Sequence, residues 1–335
     1  MLLMAFVLSS CEKEIGDLTE YEQPRLIVNA LITASAEDQP LHIAMTGALH
    51  TEPVAGARVS MTCNGTPCFD GTVPDHDSLL ISARDFRPGD HIAIDVRHGS
   101  LHAQASAQVP TPIIITGLDT LSVQAKRFRS STDYERHTRY LVHLRLPNGV
   151  RADEQLYFRA EVDKDIYTVS TYSLDGDIVS EVHLKTDDDH TQFGYWGDPA
   201  LTETENADQE NMSVSFDWLD GIENIYHLFR SNYFKDGEYT LRLDLPEPYF
   251  YNRQTGMAQD VRIRIYAISS TEYNYLQALA ALKTLDTGTI TDGEPGVPSN
   301  VEGGAGIFSI ESMTEISFHE DRNLLKVGDN YYQRK

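Results

Sequence analysis

Positive charge is what this sequence has least of. Its 27 lysines and arginines face 51 aspartates and glutamates, for a formal net charge of −24. Nucleic acid is therefore not expected as a partner: a polyanion would be repelled, and there is no basic stripe to hold it. A surface this acidic favours solubility and can attract cations or basic partners. Long apolar runs are lacking too. A spanning helix takes about 20 apolar residues, and the apolar stretch that opens the chain, Met1 to Ser10, falls well short. The signatures of catalysis are also missing. There is no Gly-x-Ser-x-Gly elbow and no phosphate-binding P-loop. His319-Glu320 starts like a zinc-protease motif, but Asn323 stands where the second histidine must be, which removes the ligand pair one helical turn apart. Gly303-Gly304-Ala305-Gly306 does not open a helix after a strand, and it fits a tight turn entering the last strand. No enzymatic activity, cofactor or metal site is expected.

What the chain does have begins at its head. Ten residues without charge, Met1 to Ser10, run into Cys11 and then Glu12-Lys13-Glu14. That length suits the apolar core of a secretory signal. The basic segment that normally precedes such a core is lacking, and a few basic residues are expected upstream of Met1. Leu8-Ser9-Ser10-Cys11 resembles the bacterial lipobox, an apolar residue and two small ones before an obligatory cysteine. The small residues let a peptidase take extended backbone into a narrow site, and the thiol receives a diacylglycerol carrying fatty acyl chains such as palmitate. The alternative is a buried N-terminal strand with a chance cysteine. Two cysteines remain, in Cys63-Asn64-Gly65-Thr66-Pro67-Cys68. Asn-Gly is a strong hairpin-turn signal, so the pair flanks a bend. An exported chain meets an oxidising compartment, and a Cys63–Cys68 disulfide is expected in preference to a zinc site that would lack histidine ligands.

Strand patterns dominate the remainder. Arg25 to Ile32, Leu41 to Ala44 and Arg58 to Thr62 are apolar and β-branched, and His91 to Val96 alternates with period two. Gly99-Ser100 makes a two-residue turn into a return strand from Leu101 to Val109. This register places Ile92, Ile94 and Val96 on one face with Ala103, Ala105 and Ala107. It also sets His98 across from Leu101 and His102 across from Arg97, so the two imidazoles point to opposite faces and do not share a metal. Val109-Pro110-Thr111-Pro112 reads as an extended linker. Further strands are expected at Ile113 to Ile115, Tyr140 to Leu146, Gln155 to Val162, Ile166 to Tyr172, Ile178 to Leu184, Ser213 to Trp218, Tyr239 to Leu245 and Val261 to Ile268. Ser269 to Glu272 has capping-box spacing, and the Leu- and Ala-rich run after it predicts a helix near 271–285, with Tyr275, Leu276, Leu279 and Leu282 on one face. A second short helix near Gly221 to Arg230 is a weaker expectation. The fold class is mainly β: residues 1–10 signal, 11–20 lipid-anchored tether, 21–110 an N-terminal β-sandwich, and 113–335 a C-terminal β-rich domain with one helix.

Two segments could make contacts. Thr186 to Asp220 holds ten acids and no lysine or arginine, with Tyr195 and Trp196 close to Asp187-Asp188-Asp189-His190. A solvated acidic loop is the first reading and a calcium-stabilised loop the alternative. Tyr249-Phe250-Tyr251 follows Pro246 and Pro248 between two strands. These aromatics either fold back onto the core or contact a receptor, a glycan or a peptide.

Several stretches together resemble a family of uncharacterised Bacteroidota outer-membrane lipoproteins, often encoded beside TonB-dependent receptors. They are the lipobox, Leu26 to Ala30, Pro53 to Val59, Arg87 to Ile92, Gly197-Asp198-Pro199-Ala200-Leu201, Tyr233-Phe234-Lys235-Asp236-Gly237, Tyr273 to Leu276 and Glu294 to Phe308. The resemblance implies an immunoglobulin-like or carboxypeptidase-regulatory-like first sandwich. It also implies attachment to the outer membrane through Cys11, facing the cell surface, and a non-enzymatic role beside a TonB-dependent transporter in nutrient capture. A stand-alone adhesin or glycan-binding lipoprotein is the alternative. The family has no established catalytic residues to carry over, and the tail Ser309-Ile310-Glu311-Ser312 departs from its pattern.

Overall fold

The computed structural model describes residues 24–46, 51–74, 78–126, 134–150, 154–174, 177–187, 198–202, 224–246, 257–285 and 297–322. The first part of the chain supplies β1 (Leu26–Thr33), β2 (Gln39–Thr46), β3 (Thr51–Pro53), β4 (Arg58–Cys63), β5 (Thr66–Thr72), β6 (Ser78–Ile81), β7 (His91–His98) and β8 (Leu101–Gln108). The remainder supplies β9 (Ile114–Lys126), β10 (Tyr134–Arg145), β11 (Tyr157–Leu174), β12 (Asp177–Asp187), the short helix α1 (Pro199–Thr202), β13 (Leu228–Arg230), β14 (Glu238–Pro246), β15 (Met257–Ile268), α2 (Ser270–Leu285) and β16 (Gly304–Arg322).

Alternating patterns become two-faced strands. β1 buries Leu26, Val28, Ala30 and Ile32, while the residues between them stay half exposed. These side chains join Val59 and Met61 of β4, Ile92, Ile94 and Val96 of β7, and Ala103 and Ala105 of β8 in one core. The hairpin register is Ile92↔Ala107, Ile94↔Ala105, Val96↔Ala103, Arg97↔His102 and His98↔Leu101, as the two-residue turn at Gly99 requires. A second core gathers Tyr140, Val142 and Leu144 of β10, Leu241, Leu243 and Leu245 of β14, Phe158, Ala160 and Val162 of β11, and Val261, Ile263 and Ile265 of β15.

The sheets join these two cores more closely than a linker at Pro110-Pro112 implies. One large sheet runs β12-β11-β15-β16-β1-β2-β3, with β13 added on β11 and β6 on β2. Sheets β5-β4-β7-β8 and β14-β10-β9 stand apart from it. β16 is the seam. Gly304 to Glu311 pair in parallel with β1, and Ser312 to Arg322 pair antiparallel with β15. Phe308 and Ile310 lie in the first core, whereas Ile316 and Phe318 pack on the second. Residues 301–311, far beyond the proline pair, thus pair and pack with the N-terminal strands. β16 also ties down the linker, because Ser312 Oγ donates to the Pro110 carbonyl and Thr314 Oγ1 to the Ile113 carbonyl, each at 2.7 Å.

The glycines that open β16 explain how this strand fits. A Cβ on Gly304 would lie 2.5 Å from the Leu26 carbonyl oxygen, and one on Gly306, where φ is +101°, would collide with that of Val28. Close approach of two backbones, beyond a turn, is what selects glycine here.

Other differences have local causes. Gln155–Val162 and Ile166–Tyr172 merge into the single long β11. Leu228–Arg230 is a strand on β11 where a short helix was expected. There the Asn224 side chain accepts from the Leu228 amide and donates to the Leu228 and Leu201 carbonyls, work that helical bonds would otherwise do. α2 forms as its cap predicts, but its buried residues are Glu272, Tyr273, Leu276, Ala280 and Ala281, with Tyr275, Leu279 and Leu282 half buried, so the inward face is rotated from the expected one. Ser213 to Trp218 lies outside the described residues.

Candidate functional site

Of the residues singled out for contact, Tyr195, Trp196, Tyr249, Phe250 and Tyr251 lie outside the described residues, as do Cys11 and most of the acidic segment 186–220. Cys63 and Cys68 are described, and both are free thiols, one half buried and one exposed. Asn64 and Gly65 make the expected turn with positive φ, but the ladder pairs Cys63 with Thr66 and its register shifts between Met61 and Thr62. Cys68 falls at that irregularity and is not opposite Cys63, so the expected bridge is absent from the structure. Burial and a hydrogen bond to Asp90 raise the Cys63 thiol above its ordinary pKa. Among the described residues, no group of three or more His, Cys, Asp or Glu is placed to hold a metal ion, and no helix is long and apolar enough to cross a membrane.

The landmark stretches are fastenings. Asp198 is buried and accepts from Tyr239 Oη at 2.6 Å and from the amides of Ala200 and Arg242 at 2.8 Å. It thereby caps α1 and fixes β14. Asp236-Gly237 turns the chain into β14, while Phe234 packs on Phe158 and Tyr239 with ring centroids 5.8 and 5.5 Å apart. Asn300 exchanges two hydrogen bonds with the Phe308 backbone, at 2.7 and 2.9 Å, and so pins the approach to β16.

The most unusual chemistry lies on the face of β11, β15 and β16 turned away from the second core. Register puts Asp163 beside Arg262, Glu161 beside Arg264, and Arg264 beside Glu315. Arg264 pairs with Asp163 at 2.5 Å and Glu315 at 2.8 Å, Arg262 with Asp165 at 3.1 Å, and His319 with Asp260 at 2.6 Å. Toward the seam this ionic ladder runs under α2 and becomes buried. Arg159 pairs there with Glu161 and, at 2.8 Å, with Glu311, while its guanidinium carbon stands 4.0 Å from the centre of the Tyr266 ring. Tyr266 Oη donates to Glu161 at 2.9 Å and Thr33 Oγ1 to Glu311 at 2.8 Å. Burial alone would lower the Arg159 pKa, but Glu311 and Glu161 hold it above its ordinary value.

Glu272 enters this cluster from above. Its amide donates to Ser269 Oγ at 3.1 Å, the forward half of the capping box. The carboxyl does not reach back to the cap. It is fully buried, neither oxygen makes a hydrogen bond of good geometry, and its polar neighbours are Ser309 and Glu311. Burial, then the Glu311 charge, push it up to about 8, so it holds a proton at neutral pH. His227, also buried and near Arg159, is driven down to about 3 and stays neutral. One guanidinium thus balances two carboxylates, and the third acid is protonated. Because the cluster is buried, it can hold elements and protons but presents no surface to a substrate. Sequence reading missed it: Arg159 and Glu311 sit in ordinary alternating strands, and Glu272 looks like a capping residue.

Hydroxyl, imidazole and carboxylate also meet elsewhere. His143 lies 3.1 Å from Thr240 Oγ1 and 3.0 Å from Asp119. This group is on an open sheet face with Asp119 largely exposed, whereas acyl transfer needs converging donors in a water-excluded site. The arrangement is a cross-strand polar contact. Near α2, Tyr157 and Tyr273 pack at 4.9 Å and Arg230 Nε donates to Tyr273 Oη at 3.1 Å. Tyr226 and Tyr275 lie half buried beside them.

No curated protein matches the chain. One family profile does, over residues 12–317, nearly the whole chain and every strand from β1 into β16. By that match the protein belongs to the family described as Domain of unknown function (DUF4249).

Proposed function

We propose that the protein is a non-enzymatic lipoprotein, tethered through Cys11 to the outer membrane at the cell surface and accessory to a TonB-dependent transporter in nutrient capture or uptake. The observation that carries this reading is Leu8-Ser9-Ser10-Cys11 at the end of a short apolar run. A diacylglycerol on that thiol supplies two chains, which is what stable anchoring takes. The mainly β architecture and the open, flat setting of its polar groups are compatible with a binding or assembly role. The transporter enters through the resemblance of the sequence to lipoproteins encoded beside such receptors.

Affinity capture of the full chain from outer membranes solubilised in mild detergent tests the proposal. A β-barrel receptor should co-purify, and it should be lost from a Cys11→Ala variant because that protein no longer reaches the membrane. Capture of the chain alone under these conditions opposes the transporter role. A second reading, a stand-alone glycan-binding lipoprotein, draws on the half-buried tyrosines Tyr157, Tyr226 and Tyr275 beside Arg230. Glycan retention by detergent-free protein with no barrel partner would favour it.

A further inference from the structure

We propose that Glu272 docks protonated beneath α2, against Glu311, and that loss of its proton releases the first turn of the helix from the sheet, making α2 a pH-sensitive latch over the junction of the two sandwiches. The groups facing the pair come from every element around it. β1 contributes Thr33, β11 Arg159 and Glu161, β15 Tyr266, and β16 Ser309 beside Glu311. His227 approaches Arg159 from the turn before β13, and α2 itself brings Tyr273. Arg159 is the cation in contact with this set, and its bonds go to Glu161 and Glu311. A charged Glu272 would therefore stand against Glu311 with no cation of its own and no donor of good geometry. An unpaired buried carboxylate is costly enough that protonation is its ordinary escape.

The latch follows from what α2 covers. Tyr273 and Leu276 pack with Tyr266 and Ile268 of β15, Tyr157 of β11 and Leu31 of β1, so the helix spans strands of both sandwiches. With α2 lifted, the Glu272 carboxyl meets water and returns to its ordinary value of 4.5, while in the docked helix it titrates at about 8. Undocking thus releases a proton. The docked state is fully favoured below pH 4.5 and loses ground as pH rises toward 8.

Hydrogen exchange of α2 amides in the full chain, corrected for intrinsic rates, tests this between pH 6.5 and 9. The opening constant of residues 273–282 should rise about tenfold per pH unit up to pH 8 and then level off, while β7 and β8 in the other core stay unchanged. Glu272→Gln keeps the cap and removes the charge, so its α2 should open independently of pH. Flat exchange in the natural protein, or the same pH dependence in Glu272→Gln, overturns the proposal. Should that variant fail to fold, carboxyl carbon resonances of the unaltered protein decide. One glutamate should titrate several units above the others, and a spectrum in which all glutamates titrate in the ordinary range contradicts a protonated Glu272.

Discussion

Arg159 is the residue at which one substitution should do most damage. Removing it leaves Glu311, buried and 2.8 Å away, without its cation. Breaking a buried pair from one side typically costs about 3–5 kcal/mol, so Arg159→Ala should lower stability by that amount in chemical denaturation. A loss below about 1 kcal/mol would mean that the cluster relaxes into water. Gly306 makes a different kind of demand. With φ at +101° and the Val28 carbonyl in the way of any Cβ, Gly306→Ala should cost about 2 kcal/mol or more and lower the melting temperature. Some of this scale was legible in the sequence. The pairing of Arg97 with His102 followed from a two-residue turn, since turn length fixes register. For the cysteine pair the turn between them was readable, but the register shift next to Cys63 cannot be seen in composition. Glu272 was recognised as a helix-start residue, but the charged groups that its buried carboxyl meets, Glu311 and Arg159, are distant in sequence and brought together only by strand pairing.

α2 shows what periodicity can and cannot fix. Its start was readable from Ser269 and Glu272, yet its inward face was not, because a helix rich in Leu and Ala offers more than one apolar stripe and the sheet beneath chooses among them. Leu276 is the buried centre of that face. Leu276→Ala should cost about 2–4 kcal/mol, whereas the same change at half-buried Leu279 should cost less, a comparison that thermal melts of the two variants can make. The turn before β13 adds an acid-side response. His227, held neutral at about 3 by burial and then by Arg159, is ordinarily protonated below 6.5. Its contribution to stability is therefore present above pH 6.5 and lost as pH falls toward 3. Glu272 acts in the opposite direction between 4.5 and about 8. Opposing slopes from the two groups should leave stability nearly flat between about pH 4.5 and 6.5, with decline on either side. A urea midpoint measured across pH checks this, and a continuous rise through neutrality would contradict the assigned protonation states.

At the scale of the whole molecule, two sandwiches were legible and their dependence on one another was not. Alternating strands announced the β-rich architecture, but nothing local announced that β16, near the end of the chain, pairs in parallel with β1 near its beginning. Because β16 completes one core and pairs into the other, residues 21–110 expressed alone should lack a cooperative melt, and the full chain should unfold in a single transition. Two well-separated transitions would show that the halves are independent. Function rests on where this body is held. The decisive claim is that the protein is tethered through Cys11, from which the membrane location and any transporter partner follow. Mass spectrometry of the N-terminal peptide of protein isolated from membranes of the native host tests that claim most directly. The account predicts a mature chain that begins at Cys11 and carries the mass of a diacylglycerol with its fatty acyl chains. An unmodified cysteine within a chain that still begins at or before Met1 would contradict it.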